Sequence, residues 1–187
     1  MVNTKEDVVI MNLSLLLHTC CAPCSIAIID ELKTLYDLSV FFYNPNIFPE
    51  EEYLKRKNEV IKVCQEWNIP MIDMDYETEV WGKAVAGLEN EPEGGRRCAE
   101  CFKMRLEKTA DYAKQHKFDY FASSLTSGRN KKAEVINAIG SALAIQYGVN
   151  FLAEDWKKDG RQEKGRGMVE EGGIYRQGYC GCRYSVR

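Results

Sequence analysis

The chain has 187 residues, of which 45% are hydrophobic and 28% charged, with eight cysteines and a formal net charge of −3. This length and apolar content support one globular domain, spanning 1–187, and exclude a disordered chain or a small disulfide scaffold. The acidic balance excludes a strongly basic, nonspecific polyanion binder, so any nucleic-acid contact must rest on a local patch.

Residues 10–29 carry no charged side chain, but His18, Pro23, three cysteines and several small polar residues interrupt the run, which argues against a membrane span. The preceding Lys5-Glu6-Asp7 is not net positive and no small-x-small cleavage site follows, so no secretory signal is expected and the expected location is cytoplasmic. Leu13 to Leu17 reads as a short strand buried on both faces. After a cysteine-rich turn, SIAIIDELKTLY reads as a helix with Ser25 as its N-cap. LSVFFYNPN is a second strand, ending at Asn44-Pro45, and Glu50 to Trp67 a charged amphipathic helix. PMIDMDY is a third strand, Val80 to Leu88 a short helix, and GLENEPEGG a polar loop. RRCAECFKMRLEKTADYAKQH carries the clearest helical period, through Phe102, Leu106, Ala110 and Ala113. Phe118 to Leu125 gives a fourth strand, Lys131 to Tyr147 a helix and Val149 to Ala153 a fifth strand. From Gly160 to Gly181, seven glycines are expected to break any long element, leaving an irregular C-terminal segment over 154–187.

Alternating strands and helices predict an α/β fold, with a mostly parallel sheet covered by helices on both faces. In such sheets ligands sit at the carboxyl ends of the strands. Where a nucleotide-binding relative would place a Gly-rich phosphate loop, after the first strand, this chain places thiols. Seven of its eight cysteines fall in three clusters: Cys20, Cys21 and Cys24; Cys98 and Cys101; Cys180 and Cys182. Cys64 stands alone in a helical run and reads as a small buried hydrophobe.

A reducing compartment favours metal ligation or redox catalysis over structural disulfides. Three chemistries stand open. Thiol-disulfide exchange of the thioredoxin kind would use Cys21-Ala-Pro-Cys24 at a helix amino terminus, but leaves Cys20 and four distant cysteines unexplained. Structural zinc needs four ligands, and seven clustered thiols are too many for one site. An iron-sulfur cluster takes four thiolates from separated parts of a chain, and Cys20, Cys21, Cys98 and Cys101 would complete one. Cys180-Gly-Cys182 would then serve as a strained redox disulfide, or hold a second metal with Cys24 or a carboxylate.

The motifs LLLHTCCAPCS, RRCAECFKMRLEKTA, FASSLTSGRNKKAEVIN, FLAEDWKK and YRQGYCGCRYS, in that order over nearly the full chain, resemble the cobalamin-independent epoxyqueuosine reductase family, the QueH type. Gly128 and Arg129 depart from the family's pattern, where proline and another residue are frequent. The resemblance implies a Rossmann-like, HUP-type fold and reduction of the epoxide of epoxyqueuosine at the wobble position of tRNA, the last step of queuosine biosynthesis. It also implies an oxygen-sensitive iron-sulfur centre of the 4Fe-4S kind with Cys20, Cys21, Cys98 and Cys101 as ligands. Cys24 is a further candidate ligand and Cys180 with Cys182 the redox-active pair; an additional mononuclear iron is an alternative use of those last thiols. The 154–187 segment would close over this site. Partners implied are tRNA carrying epoxyqueuosine in its anticodon and an external low-potential electron donor, with no membrane. A non-enzymatic iron-sulfur RNA sensor would bind the same partners without turnover.

Loss of the epoxide oxygen as water needs a proton donor, for which Tyr43, Asp155 and Tyr175 are candidates. Each has a plain alternative, a core phenol for the tyrosines and a helix cap for Asp155. His18 reads as an orienting core histidine. From Asp155 onward eight basic residues face five acidic ones. Arg129, Lys131, Lys132, Lys157, Lys158 and Arg176 are the candidate RNA contacts, with Arg96 and Arg97 near them. Trp156, Tyr175 and Tyr179 are candidate stacking platforms for an unpaired base.

Overall fold

The computed structural model describes residues 13–186. The Lys5-Glu6-Asp7 stretch, residues 10–12 of the charge-free run and Arg187 lie outside the described residues. The first strand, β1 (Ser14–His18), is central because both its faces are apolar: Leu15, Leu16 and Leu17 are all fully buried. It pairs in parallel with β2 (Asp37–Phe42) on one edge and β4 (Tyr120–Ser123) on the other. β3 (Met71–Asp73) extends the sheet beyond β2, and β5 (Asn150–Phe151) beyond β4, giving a parallel sheet of order β3-β2-β1-β4-β5. That is the Rossmann-like order expected, with its reversal of direction at β1 and β4.

Successive side chains of β1 point to opposite faces, and two cores follow. Leu15 and Leu17 meet α1 (Ala22–Leu32), α2 (Glu50–Glu66) and Val169 of α6 (Arg161–Glu171). Leu16 meets α4 (Arg96–Gln115) and α5 (Ala133–Tyr147). The short α3 (Thr78–Ala84) brings Trp81 against Cys101 and Cys182 in a small third cluster. Cys64 lies in the first core, and burial pushes its thiol up to about 11. Among the described residues no helix is long and apolar enough to cross a membrane.

Three expectations are corrected. Helix α1 begins at Ala22 with Cys21 as its N-cap, not at Ser25. Pro23 fits the first turn, where its missing N–H costs nothing, and the Ser25 hydroxyl donates back to the Cys21 carbonyl at 2.9 Å instead of capping. The fourth strand stops at Ser123 and turns into a 3-10 segment, Ser124–Ser127. The C-terminal segment, expected to hold no long element, contains the eleven-residue α6 despite Gly165 and Gly167. Docking on α1 overrides the poor propensity: Arg161 pairs with Glu31 at 2.8 Å, Lys164 with Asp30 at 2.7 Å, and Gly165 faces Ala27.

Gly140 of α5 is set against the ring of Phe151, where an added Cβ would lie 2.4 Å from two ring atoms. Gly140→Ala gains about 1 kcal/mol of helix propensity but meets an overpacking cost of about 1–3 kcal/mol. We expect net destabilisation in chemical denaturation, and a smaller penalty when the change is combined with Phe151→Leu.

Candidate metal centre

All strands run the same way, so their carboxyl ends share one edge, and the turn after β1 opens there beside the end of β4. Two features of the turn converge three thiols. Cys20 and Cys21 follow the strand directly, and the first turn of α1 brings Cys24 back over them. The sulfurs of Cys20, Cys21 and Cys24 lie within 4.8 Å of one another, with Cys20 and Cys21 3.8 Å apart. Cys20 and Cys21 are buried and Cys24 is half-buried.

These thiols share protons unequally. Hydrogen bonds from Cys21 and Cys24 hold the Cys20 thiol well below its ordinary range, against burial and with help from Lys131 and Arg105. The same bonds, with burial, push Cys21 well above it, and Cys24 is raised chiefly by its bond with Cys20. Of the three, Cys20 is thus the thiol most easily deprotonated. That runs against thioredoxin-like exchange, which needs an accessible thiolate at the first cysteine of the Cys-x-x-Cys pair; here Cys21 is fully buried and its pKa is pushed up.

Cys98 and Cys101 sit on the first two turns of α4 and stand outside the 4.8 Å group. Cys98 accepts from the Gly94 backbone N–H at 3.2 Å, and burial pushes its thiol up against that bond. Cys101 shares its small apolar cluster with Cys182. Cys180 is raised to about 11 by burial, opposed by Lys131, and it feels the charges of Cys101 and Cys20. The three clusters thus face one region, with Cys180 electrically linked to both of the others.

The Cys180-Gly-Cys182 loop is fixed from α2. Arg56, 1% exposed, donates to the carbonyls of Cys180 at 2.9 Å and Tyr179 at 3.1 Å, and is itself held by Glu52 at 2.7 Å. Gly181 has φ +132, and a Cβ there would come within 3.0 Å of Arg56 Nη1, so the position requires glycine. Its carbonyl accepts from Phe48 N at 2.8 Å. From the same segment the Gln177 amide donates to Cys21 Sγ at 2.9 Å and reaches Cys24 Sγ at 3.8 Å, while its Oε1 is buried with no partner among the described residues.

A second buried network backs the thiols. His18 is fully buried between Ser123 Oγ, 3.0 Å from Nδ1, and Arg105 Nε, 3.3 Å from Nε2. Burial and the Arg105 charge lower its pKa to about 3, so it is a neutral, orienting imidazole. Arg105 also donates to Asn44 Oδ1 at 2.6 Å, and Asn44 donates to the Thr19 carbonyl at 2.9 Å.

Beside the thiols lies an open cleft of about 650 Å³, walled by Arg129, Lys131, Lys132, Lys157 and Asp155, and by Gly94 and Gly95 before α4. Lys131 lies on that wall; burial opposes its charge, but the sulfurs of Cys20, Cys180 and Cys24 hold its pKa above the ordinary value. Lys157 donates to the Lys131 carbonyl at 2.7 Å and faces Asp155 at 3.5 Å. Lys158 is exposed, 3.9 Å from Asp155, and Arg176 is exposed on the C-terminal segment.

The proton-donor candidates separate. Asp155 lines the cleft. Tyr43 is buried and its hydroxyl donates to Glu77 at 2.7 Å; burial first, then Glu77, push its pKa up. Tyr175 donates to Glu52 at 2.8 Å and lines a separate groove along α2. As a stacking platform Trp156 is overturned: it is 2% exposed in the core, with its indole N–H on the Ser123 carbonyl at 2.9 Å. Tyr179 is tied by its hydroxyl to the Phe48 carbonyl. Sequence reasoning missed Arg105, Arg56 and Gln177. Arg105 lies four residues after Cys101, on the same face of a helix, which is a signal the spacing offered. Arg56 and Gln177 are brought in only by the fold.

Comparison with known proteins follows this geometry. The family model for Epoxyqueuosine reductase QueH matches residues 15–187. The Epoxyqueuosine reductase QueH of Acinetobacter baylyi is 46% identical over 177 residues, covering 92% of this chain and 80% of its own. The protein of that name from Thermotoga maritima is 36% identical over 179 residues, covering 92% of this chain and 90% of its own. Among solved structures, the U34-tRNA thiolase NcsA from Methanococcus maripaludis with its 4Fe-4S cluster superposes with a TM-score of 0.61 at 13% identity, over 97% of this chain and 64% of that one. A predicted subunit of tRNA methyltransferase from Methanocaldococcus jannaschii gives 0.57, also at 13% identity, over 85% of this chain and 76% of its own. At that identity the two structures share the fold alone. Five motifs spread along the sequence and a family match over nearly all of it agree: the chain belongs to the epoxyqueuosine reductase QueH family.

Proposed function

We propose that this protein reduces the epoxide of epoxyqueuosine in the anticodon of tRNA to give queuosine, using an iron-sulfur centre held by its clustered cysteines. The observation that carries the reading is the close group of Cys20, Cys21 and Cys24 sulfurs at the carboxyl edge of the sheet, near a cleft walled by Arg129, Lys131, Lys132 and Lys157, in a chain whose relatives bear that name. The donor set fits the group: the sulfurs are soft ligands, the Cys20 thiol is held below its ordinary range, and Cys98 and Cys101 offer two more from one helix end. Cys20, Cys21, Cys98 and Cys101 are the proposed ligands, with Cys24, Cys180 and Cys182 left for a redox pair or a mononuclear iron. When bound, such a centre supplies electrons one at a time.

The chain's own residues do the rest. Opening the epoxide to the alkene takes two electrons and two protons and releases water, with the electrons drawn from an external low-potential donor. The cleft admits the wobble nucleotide, and Arg129 and Lys132 on its rim meet the flanking phosphates. Asp155, in the cleft wall beside Lys157, is our candidate to relay a proton to the departing oxygen. The bond of Tyr43 to Glu77 and the position of Tyr175 in another groove favour Asp155 over them. The 154–187 segment closes over the site through Gln177, which donates to Cys21, and the Cys180-Gly181-Cys182 loop.

Protein purified or reconstituted without oxygen should contain iron and acid-labile sulfide, and should convert epoxyqueuosine-tRNA when given a strong reductant. Equal iron and sulfide indicate the cluster alone, and iron in excess a mononuclear site as well. Zinc alone, or iron without turnover, would refute the reading. Asp155→Asn should slow single-turnover reduction about 100-fold with iron content unchanged, whereas Tyr175→Phe should leave the rate alone. Combining Arg129→Ala with Lys132→Ala should weaken tRNA binding and reduce the slope of log affinity against log salt by about 1.4, for two single-stranded phosphate contacts at about 0.7 each.

A further inference from the structure

Among the described residues three phenylalanine, tyrosine or tryptophan side chains are exposed, Phe48, Tyr175 and Tyr184, and all three lie on the C-terminal segment or against it. A single exposed ring needs no explanation, but two of these adjoin the Cys180-Gly181-Cys182 loop. Tyr175 is engaged elsewhere, its hydroxyl on Glu52 and its ring along the α2 groove. Phe48, 45% exposed, is clipped to the loop through its backbone: its N–H donates to the Gly181 carbonyl at 2.8 Å, and its own carbonyl accepts from the Tyr179 hydroxyl. Tyr184, 37% exposed, follows Cys182 by two residues in the 3-10 turn Arg183–Ser185, where the Ser185 hydroxyl donates to the Cys182 carbonyl at 2.8 Å. Its neighbours Trp81, with ring centres 6.1 Å apart, and Arg97, 5.0 Å from the ring centre, are both buried, so the rest of the ring faces solvent. The exposed Arg183 lies over Phe48, 5.1 Å from the ring centre.

Both rings are therefore set in place before any partner arrives, and ordering them costs little on binding. Glu50 and Glu51, exposed in the first turn of α2 just after Phe48, make this rim a poor place for phosphates. Bases suit it, because every base presents a π-face that an aromatic ring or an arginine plane accepts whatever the sequence. We propose that Phe48 and Tyr184 are the stacking platforms for unpaired anticodon-loop bases beside the wobble nucleotide. The inference rests on the tRNA reading above and names its base contacts. It leaves the phosphates to Arg129 and Lys132.

The test is binding measured by fluorescence anisotropy over a series of salt concentrations, with the full-length protein reconstituted without oxygen. The probes are epoxyqueuosine-tRNA and, as a control, a blunt RNA duplex of similar length. Tyr184→Ala and Phe48→Ala should each weaken tRNA binding about tenfold and leave duplex binding unchanged. The slope of log affinity against log salt should not move, in contrast to the Arg129 and Lys132 variants. Tyr184→Trp should bind like the wild type, and tRNA should quench its added emission. Iron content and melting temperature, measured on each variant, separate lost stacking from lost fold; if one alanine variant does not fold, the other and Tyr184→Trp decide. A folded Tyr184→Ala protein with wild-type affinity overturns the inference and leaves the reductase reading intact, as does a lowered salt slope or a loss that Tyr184→Trp shares. A wild-type protein that neither binds nor converts the tRNA overturns both.

Discussion

A strand with parallel partners on both edges and helices on both faces meets the rest of the protein only at its ends, and β1 is such a strand. Its side chains are fixed by two separate cores, so the residues that follow it leave from a position the whole sheet defines. The turn that carries Cys20 and Cys21 inherits that rigidity, and α1 begins at once with Cys21 as its cap. Sites built on rigid elements hold geometry better than sites on free loops. Here the rigid element is the most buried strand, and the thiols gather within hydrogen-bonding distance because neither end of the turn can drift.

Charge explains what packing does not. The region around the sulfurs holds the buried guanidinium of Arg105, while the imidazole behind it is neutral. Glu77 is engaged by Tyr43 and Lys108, and Glu52 by Arg56 and Tyr175. On the cleft wall itself Glu93, Glu134 and Asp155 stand among Arg129, Lys131, Lys132 and Lys157, in a chain of net charge −3. The wall thus keeps a small basic excess, which reconciles an acidic protein with a polyanionic substrate.

Much of this was legible in the sequence. Apolar runs at Leu13–Leu17 and Leu38–Phe42 specify buried strands, and the period of Phe102, Leu106, Ala110 and Ala113 specifies α4. The cysteine clusters and ordered motifs specify the family. What escaped were features decided by distant partners. Two glycines hide α6, whose stability comes from ion pairs and contact with α1. Trp156 looks like a stacking platform because its neighbours are charged, but its indole caps the end of β4.

The Cys180-Gly181-Cys182 loop has a consequence for folding order. It joins the site through contacts distant in sequence, from Arg56 and Phe48 to its carbonyls and from nearby Gln177 to Cys21, and not through the sheet. Contacts of that kind form after the local ones, and a segment held by a few such bonds opens at less cost than the core it covers. Sub-global opening can therefore uncover Cys21 and Cys24 while β1 and both cores stay intact. Loading and repair of the centre then become matters of local breathing in a folded protein, and need no refolding.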